Sequence, residues 1–290
     1  MDQIVAQLLF LGLTTGAIFA LLAGGMTLVY SVVRTVFPAH GDVLALAMYA
    51  GLTLYRVWGL HPYLTMVLIT PLMFGLGLLC FRVFLKPVLR HDPMIFFQIG
   101  LGLIFISEEL MRVGYGIDGQ TVTTPFTVRQ IHIGPILAGT GQLIALGAGF
   151  ALCIASYYVL QRTSFGRSIR AVAERPDLAK LFGIRVERMQ AFVFAAGFVL
   201  AGIAGSLVLP FTSVQPYMGL SFTLYAVIVL TVGTMGNFIG SLVAGMVIGI
   251  ASTASNFLMG DKMAAAVPYV IFILVLILLP RGLFGSREAR

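Results

Sequence analysis

The stretch Phe192-Val-Phe-Ala-Ala-Gly-Phe-Val-Leu-Ala-Gly-Ile-Ala-Gly-Ser-Leu-Val-Leu209 decides the fold. It carries no charge, and none follows until after Gly260. As a helix rising about 1.5 Å per residue it covers roughly 27 Å, close to the ~30 Å hydrocarbon core of a bilayer. Gly197, Ala201, Gly202 and Gly205 put small side chains on it at helical spacing. Gly240, Gly245 and Gly249 do the same further on, the last two as a GxxxG pair. In lipid no hydrophobic force drives helices together, so close backbone approach at small residues takes its place. These glycines read as packing positions in a dense bundle.

The rest of the chain follows suit. Of 290 residues 59% are hydrophobic and only 10% charged, with a mean hydropathy of +1.00. Soluble domains carry roughly 25% charged residues. So little charge cannot cover a water-facing surface, and the solvent is lipid. Apolar runs recur at about 4–33, 42–58, 62–82, 94–112, 137–160, 190–210, 218–235, 238–258 and 266–280. The short polar/apolar alternation of an outer-membrane barrel is absent from them. The expectation is an all-α polytopic membrane protein, one permease-like domain over 1–290, with eight or nine transmembrane helices. The first run is expected to kink or break at Gly24-Gly25. The second, after Pro38-Ala39-His40-Gly41, is expected to be broken or re-entrant.

Basic residues orient the bundle, because they concentrate on the cytoplasmic side. Seven of the eighteen Lys and Arg residues crowd into an island, Arg162 to Arg188. With that island inside, Arg34, Arg82, Lys86, Arg90, Arg281, Arg287 and Arg290 fall inside as well. Arg56, Arg112, Arg129 and Lys262 fall outside. The C-terminus is then cytoplasmic, and with nine crossings the N-terminus is outside. Residues 113–136, with Asp118, Thr121, Thr123, Thr124, Pro125 and Pro135, are expected to form an extracytoplasmic loop, either a surface for a soluble partner or a passive connector. Asp2 with no basic residue near it gives no sign of a cleaved leader.

Several chemistries are excluded by what is missing. Lys86, Lys180 and Lys262 lack the glycine context of a phosphate-binding loop, so ATP hydrolysis is not expected of this chain. His40, His61, His91 and His132 are scattered without metal-ligand spacing, and Cys80 and Cys153 lie far apart in apolar runs. No catalytic residue, metal or cofactor is expected. The formal charge of +7 reflects the cytoplasmic loops, and nucleic acid is not an expected partner. Asp42, Glu108 and Glu109 are expected at span ends, within reach of interfacial water. No ionisable group is expected near the bilayer centre, which argues against a proton- or sodium-driven carrier.

The island itself, residues 161–189, reads as a folded cytoplasmic loop. Ile169, Val172 and Ala173 share one helical face. Pro176 ends that helix and starts a second, with Asp177 at its positive end and Gly183 placed to cap it. Leu178, Leu181 and Phe182 give the second helix an apolar side. The alternatives for this surface are a protein partner or anionic membrane lipid.

Five pieces, in order along the chain, resemble one family. They are Tyr30 to Arg34 leading into Ala39-His40-Gly41-Asp42; Thr163-x-x-Gly166-Arg167-x-x-Arg170-Ala171; Ala179-x-x-x-Gly183-Ile184; Gly236-x-x-x-Gly240-Ser241-x-x-x-Gly245; and Pro280-Arg281-Gly282-Leu283-Phe284-Gly285. The sequence resembles the LivH-type permeases of branched-chain (hydrophobic) amino-acid ABC importers. The resemblance implies a pore-forming half that pairs with a second permease of similar fold in a bacterial inner membrane. It implies two cytosolic ATPase subunits gripping a coupling helix, a periplasmic binding protein delivering substrate, and alternating access driven by the ATPases. Arg170, Asp177, Leu178, Ala179, Leu181, Phe182 and Gly183 then carry the coupling. Ala179→Asp and Gly183→Trp are expected to leave the protein folded but uncoupled.

Relatives of this kind often carry Gly-Gly before Gly-Ser, where this chain has Asn237-Phe238-Ile239. The family also moves urea, amides and organic acids, so the substrate stays open. Asp42, Asn237 and Ser241, polar groups beside chain breaks, are the pathway candidates. A self-contained carrier or channel is the alternative reading.

Overall fold

In a computed structural model of the chain, residues 2–88, 93–122, 129–134, 136–260, 265–279 and 282–284 are described. Arg90, His91, Thr123, Thr124, Pro125, Pro135, Lys262, Pro280, Arg281, Gly285, Arg287 and Arg290 lie outside them. The helices are α1 (Asp2–Val33), α2 (His40–Trp58), α3 (Pro62–Cys80) and α4 (Pro93–Tyr115). A short hairpin follows, β1 (Gln130–Ile133) with β2 (Ile136–Gly139), and then α5 (Thr140–Arg162). The island is α6 (Ser164–Glu174) and α7 (Pro176–Leu181). The chain returns as α8 (Val186–Val208), α9 (Met218–Val232), α10 (Phe238–Met259) and α11 (Val267–Leu278). Six of these helices are long and apolar enough to cross a membrane; α9 and α11 are shorter apolar helices.

Side-chain contacts sort the helix ends into two sets. At one end Arg34 donates to the Ala173 carbonyl, Lys86 pairs with Glu187, and Gln190 donates to the Val32 carbonyl. The Leu283 amide donates to the Val232 carbonyl at that same end. At the other end Gln7 exchanges two hydrogen bonds with the Leu137 backbone, both 2.9 Å. There Tyr63 donates to the Gly141 carbonyl, and Gln120 and Val214 exchange backbone bonds of 2.9 and 2.8 Å. α1, α2, α3, α4, α5, α8, α9, α10 and α11 alternate in direction between the two ends. The basic island and residues 282–284 share one end.

The core forms where small residues let helices meet. α8 is the most enclosed of the long helices. A Cβ on Gly77 of α3 would lie 2.7 Å from the Ala195 Cα, and one on Gly202 would lie 2.6 Å from Met73. α10 runs antiparallel to α1, with Gly245 against Ala20 and Gly249 against Gly16. The glycine spacing in the sequence is this packing.

Three expectations need correction. α1 continues unbroken through Gly24-Gly25, because those glycines receive His40, Gly197 and Phe238 from neighbouring helices. The 113–136 loop is shorter than expected at its start, since α4 runs to Tyr115. At its other end residues 137–139 belong to a strand and not to the next span, whose helix starts at Thr140.

Candidate transport pathway and coupling surface

Between α1 and α2 the chain turns back into the bundle. Arg34 has left-handed backbone (φ 62°) and ties the turn to α6 through Ala173. Phe37 is then fully buried, its ring 5.1 Å from Phe194, 5.8 Å from Phe198 and 6.1 Å from Phe96. Irregular backbone at membrane depth must find hydrogen bonds inside the protein. Thr223 of α9 supplies them: its hydroxyl donates to the Pro38 carbonyl (2.9 Å) and accepts from the Gly41 amide (2.8 Å).

α2 therefore begins inside the bundle, and its first turn is polar. His40 is wholly buried, with Nε2 3.2 Å from the Leu22 carbonyl oxygen and Nδ1 without a partner. Leu22 stands eleven residues before the end of α1, so this contact lies ~16 Å above that end. Asp42 is 1% exposed, and neither carboxylate oxygen has a hydrogen-bond partner. The oxygens face α9, where a Cβ on Gly219 would overlap the carboxylate. This overturns the expectation that Asp42 sits near interfacial water and that the middle of the bundle holds no ionisable group. Proximity to a turn had placed it at a span end; the turn is itself folded inward. His40 was missed as well, although its signal was present in a Pro-Ala-His-Gly-Asp run at a chain break.

Asp42 lines a cavity of about 190 Å³ with Leu46 of α2, Leu76 and Leu79 of α3, and Leu103, Ser107 and Leu110 of α4. The other two pathway candidates lie elsewhere. Asn237 caps α10, its Oδ1 accepting from the Gly240 amide at 3.1 Å. Ser241 is fully buried, its hydroxyl 2.6 Å from that of Thr27 on α1. Asn237, Thr27, Ser31, Gln161 and Arg170 border a second cavity, of about 300 Å³, at the island end. The structure thus brings Asn237 and Arg170 to one cavity, keeps Ser241 behind its wall, and sets Asp42 apart.

The island folds as two short helices. Thr163 caps α6, accepting from the Gly166 amide at 3.1 Å, and Gly166, Ile169 and Val172 form its buried face. Pro176 opens α7, and Asp177 in its first turn pairs with Lys180 at 3.2 Å. Gly183 follows α7 with φ 79°, a conformation glycine reaches without a Cβ clash. Arg170 is half-buried and donates to the Leu160 carbonyl at the end of α5, so it braces the island from within. Ala179 is buried at 3% exposure, whereas Leu181 and Phe182 are 82% and 85% exposed. Leu178 is also exposed. Burial of Ala179 revises the expectation that Ala179→Asp would leave the protein folded: a carboxylate there would enter a buried position.

A family model described as "Branched-chain amino acid transport system / permease component" matches residues 8–276. The chain belongs to that family. Among its curated relatives is the high-affinity branched-chain amino acid transport system permease protein LivH of Escherichia coli (strain K12). It is 26% identical over 97% of this chain and 96% of LivH. BraD of Pseudomonas aeruginosa, named as the same kind of permease protein, is 25% identical over the same shares. The ribose import permease protein RbsC of Haemophilus influenzae is 29% identical over 56% of this chain and 53% of its own length. A chain of PsaBC from Streptococcus pneumoniae, solved in complex with Fab, shares the fold at a TM-score of 0.52. The match has 12% identity and covers 94% of this chain and 92% of that one. The protein is a multi-pass permease component of a transport system.

Proposed function

We propose that this permease forms one half of the translocation pathway of an ATP-driven importer in a bacterial inner membrane. Its cargo is a small hydrophobic solute, a branched-chain amino acid before a sugar, amide or organic acid. A second permease of similar fold completes the pathway, two cytosolic ATPase subunits drive it, and a periplasmic binding protein supplies it. The chain catalyses nothing itself. Its island end and C-terminus face the cytoplasm, as fourteen of the eighteen basic residues require by the positive-inside rule.

The observation that carries this reading is the exposure of Leu181 and Phe182 at the tip of a short helix among exposed basic residues. Two large apolar side chains held in water at a structured tip are costly unless a partner covers them. An ATPase groove is that partner. Beneath the tip, Ala179 packs within the core, Arg170 braces α6 against α5, and Arg34 links α6 to the turn before Asp42. A push on α7 has a continuous route from Ala179 and α6 to the inward turn.

A self-contained carrier draws some support from His40 and Asp42, since buried ionisable groups mark ion paths in such proteins. It leaves the apolar tip of α7 without a purpose. Purification of the tagged chain from native membranes decides between them. The intact chain is expected to bring down a nucleotide-binding subunit and a second permease. Leu181→Asp with Phe182→Asp is expected to lose the ATPase and keep the second permease. An inserted, intact chain that purifies alone overturns the importer reading.

A further inference from the structure

A third cavity, of about 540 Å³, is larger than the two described above and lies between α3, α5 and α8. Pro71 and Phe74 of α3, Val159 of α5, and Val193 and Leu200 of α8 line its walls, and Phe165 of α6 lines its island end. Only Thr70 and Ser156 among the lining residues are polar, and none is charged. Thr70 donates to the Met66 carbonyl of its own helix. Pro71 and Val159 are exposed, so the cavity is a groove open at the protein surface. At this depth the surrounding medium is hydrocarbon. Water finds too few polar partners in such a space, and close-packed proteins leave few voids of this size empty.

With the island end cytoplasmic, the groove lies in the inner leaflet. From Val193 to Leu200 it follows ~10 Å of α8, against ~15 Å for half of the hydrocarbon core. A lipid tail suits it in length and in chemistry. Each of the three walls then carries an arginine toward the cytoplasm. Arg162 stands in the last turn of α5, three residues past Val159. Arg188 stands one turn before Phe192 on α8, and the Phe192 ring lies 5.8 Å from that of Phe74. Arg82 lies in the π-helical turn Phe81–Leu85 that continues α3, and Lys86 just beyond it pairs with Glu187, the neighbour of Arg188. All three arginines are exposed, and none pairs with a described acidic residue. Basic groups at the cytoplasmic mouth of a gap between membrane helices are suited to anionic headgroups.

We propose that this groove binds an anionic phospholipid of the inner leaflet, one acyl chain lying between α3 and α5 and the phosphate meeting Arg162 and Arg188, with Arg82 alongside. A zwitterionic lipid can offer the same tail but carries no net charge to match the arginines. The tail packs on Phe165 and Ile169 of α6, so a bound lipid braces the base of the island against α3. The site uses the orientation given above and is the same for an importer or a self-contained carrier.

The test uses the protein purified with whatever partners it retains, in nanodiscs of phosphatidylglycerol and phosphatidylcholine in equal parts. Lipid that stays bound on release into detergent is counted by native mass spectrometry. Phosphatidylglycerol is expected to be retained at least fivefold over phosphatidylcholine. Arg162→Gln with Arg188→Gln is expected to bring the two lipids within twofold of each other. Arg175→Gln with Lys180→Gln removes the same charge from the island and is expected to keep the preference. Ala196→Trp, which fills the groove, is expected to displace the lipid. Equal retention of both lipids by the unmodified protein overturns the proposal. So does an equal loss of preference in the two charge-removing pairs, or full retention by Ala196→Trp. If a variant does not accumulate, a phosphatidylglycerol with a diazirine in its tail decides on the unmodified protein. Its label is expected on peptides covering residues 70–74 and 155–160. Absence of label from both overturns the proposal, the groove then being covered by the second permease.

Discussion

Gly25 of α1 and Gly197 of α8 touch backbone to backbone. A Cβ on Gly25 would lie 2.8 Å from the Gly197 carbonyl oxygen, and one on Gly197 would lie 2.6 Å from a Val29 methyl and 2.9 Å from the Gly25 carbonyl oxygen. Each helix presents its main chain to the other, so neither can accept even a methyl without displacement. Gly197→Ala is expected to cost about 1–3 kcal/mol, the usual penalty of overpacking. Gly102, whose Cβ would meet nothing within 4 Å, serves as the control. Gly102→Ala is expected to be neutral or slightly stabilising, because alanine favours the helix by up to ~1 kcal/mol. Thermal unfolding of both variants in detergent checks the contrast.

Much of this packing was legible in the sequence. Each of the nine apolar runs carries a helix among the described residues, and Gly197, Gly202, Gly205, Gly245 and Gly249 mark contacts between them. Pro176 and Gly183 fixed the bounds of α7, because ring geometry and left-handed backbone act locally. Depth was not legible. Hydropathy reports composition along the chain, and Pro38 to Asp42 reads as a surface turn whether it points outward or folds back between α8 and α9. Only Thr223, 182 residues from Gly41 in sequence, makes the inward path tolerable, and no local pattern links the two. The burial of Ala179 is illegible for the same reason: six residues of helix do not say which side is covered.

Thr27 and Ser241 join α1 to α10 by a hydroxyl pair at 2.6 Å, wholly inside the bundle. Each hydroxyl also bonds within its own helix, Thr27 to the Ala23 carbonyl and Ser241 to that of Asn237. Removing one partner therefore leaves the other satisfied. A double-mutant cycle with Thr27→Val and Ser241→Ala is expected to give a coupling of about 0.6 kcal/mol and no more than ~1.7, the range for hydrogen bonds between membrane helices. Unfolding in mixed micelles measures it. Ser241→Ala is expected to leave transport rate and substrate preference unchanged, since the residue bonds α1 and lies behind the cavity wall.

Within α7 the prediction separates neighbours. Ala179→Asp places a charge at a buried joint and is expected to destabilise the island by several kcal/mol, lowering the amount of inserted protein. Leu181→Asp and Phe182→Asp remove exposed apolar surface and are expected to leave folding within ~0.5 kcal/mol. Their effect falls on ATPase binding alone. Comparing protein yield and unfolding with ATPase recovery in the three variants checks the division. Equal loss of yield in all three would mean that the tip of α7 is packed in the folded protein and is not a docking surface.

At the opposite end of the bundle, Gln120 straps the segment after α4 to the turn between α8 and α9. Its amide donates to the Val214 carbonyl and its carbonyl accepts from the Val214 amide, while its side chain accepts from Arg56. The two kinds of bond differ in consequence. Val214 is fully buried, so an unpaired carbonyl there loses its partner with little water to replace it. Gln120→Pro removes that donor and is expected to cost about 1–3 kcal/mol locally. Arg56→Ala removes an exposed side-chain bond and is expected to cost well under ~1 kcal/mol. Hydrogen exchange at the Val214 amide reads the outcome directly. Gln120→Pro should speed exchange there by tenfold or more, and Arg56→Ala should leave it within about twofold. The reverse order would mean that the arginine, and not the backbone bridge, holds this end of α9 in place.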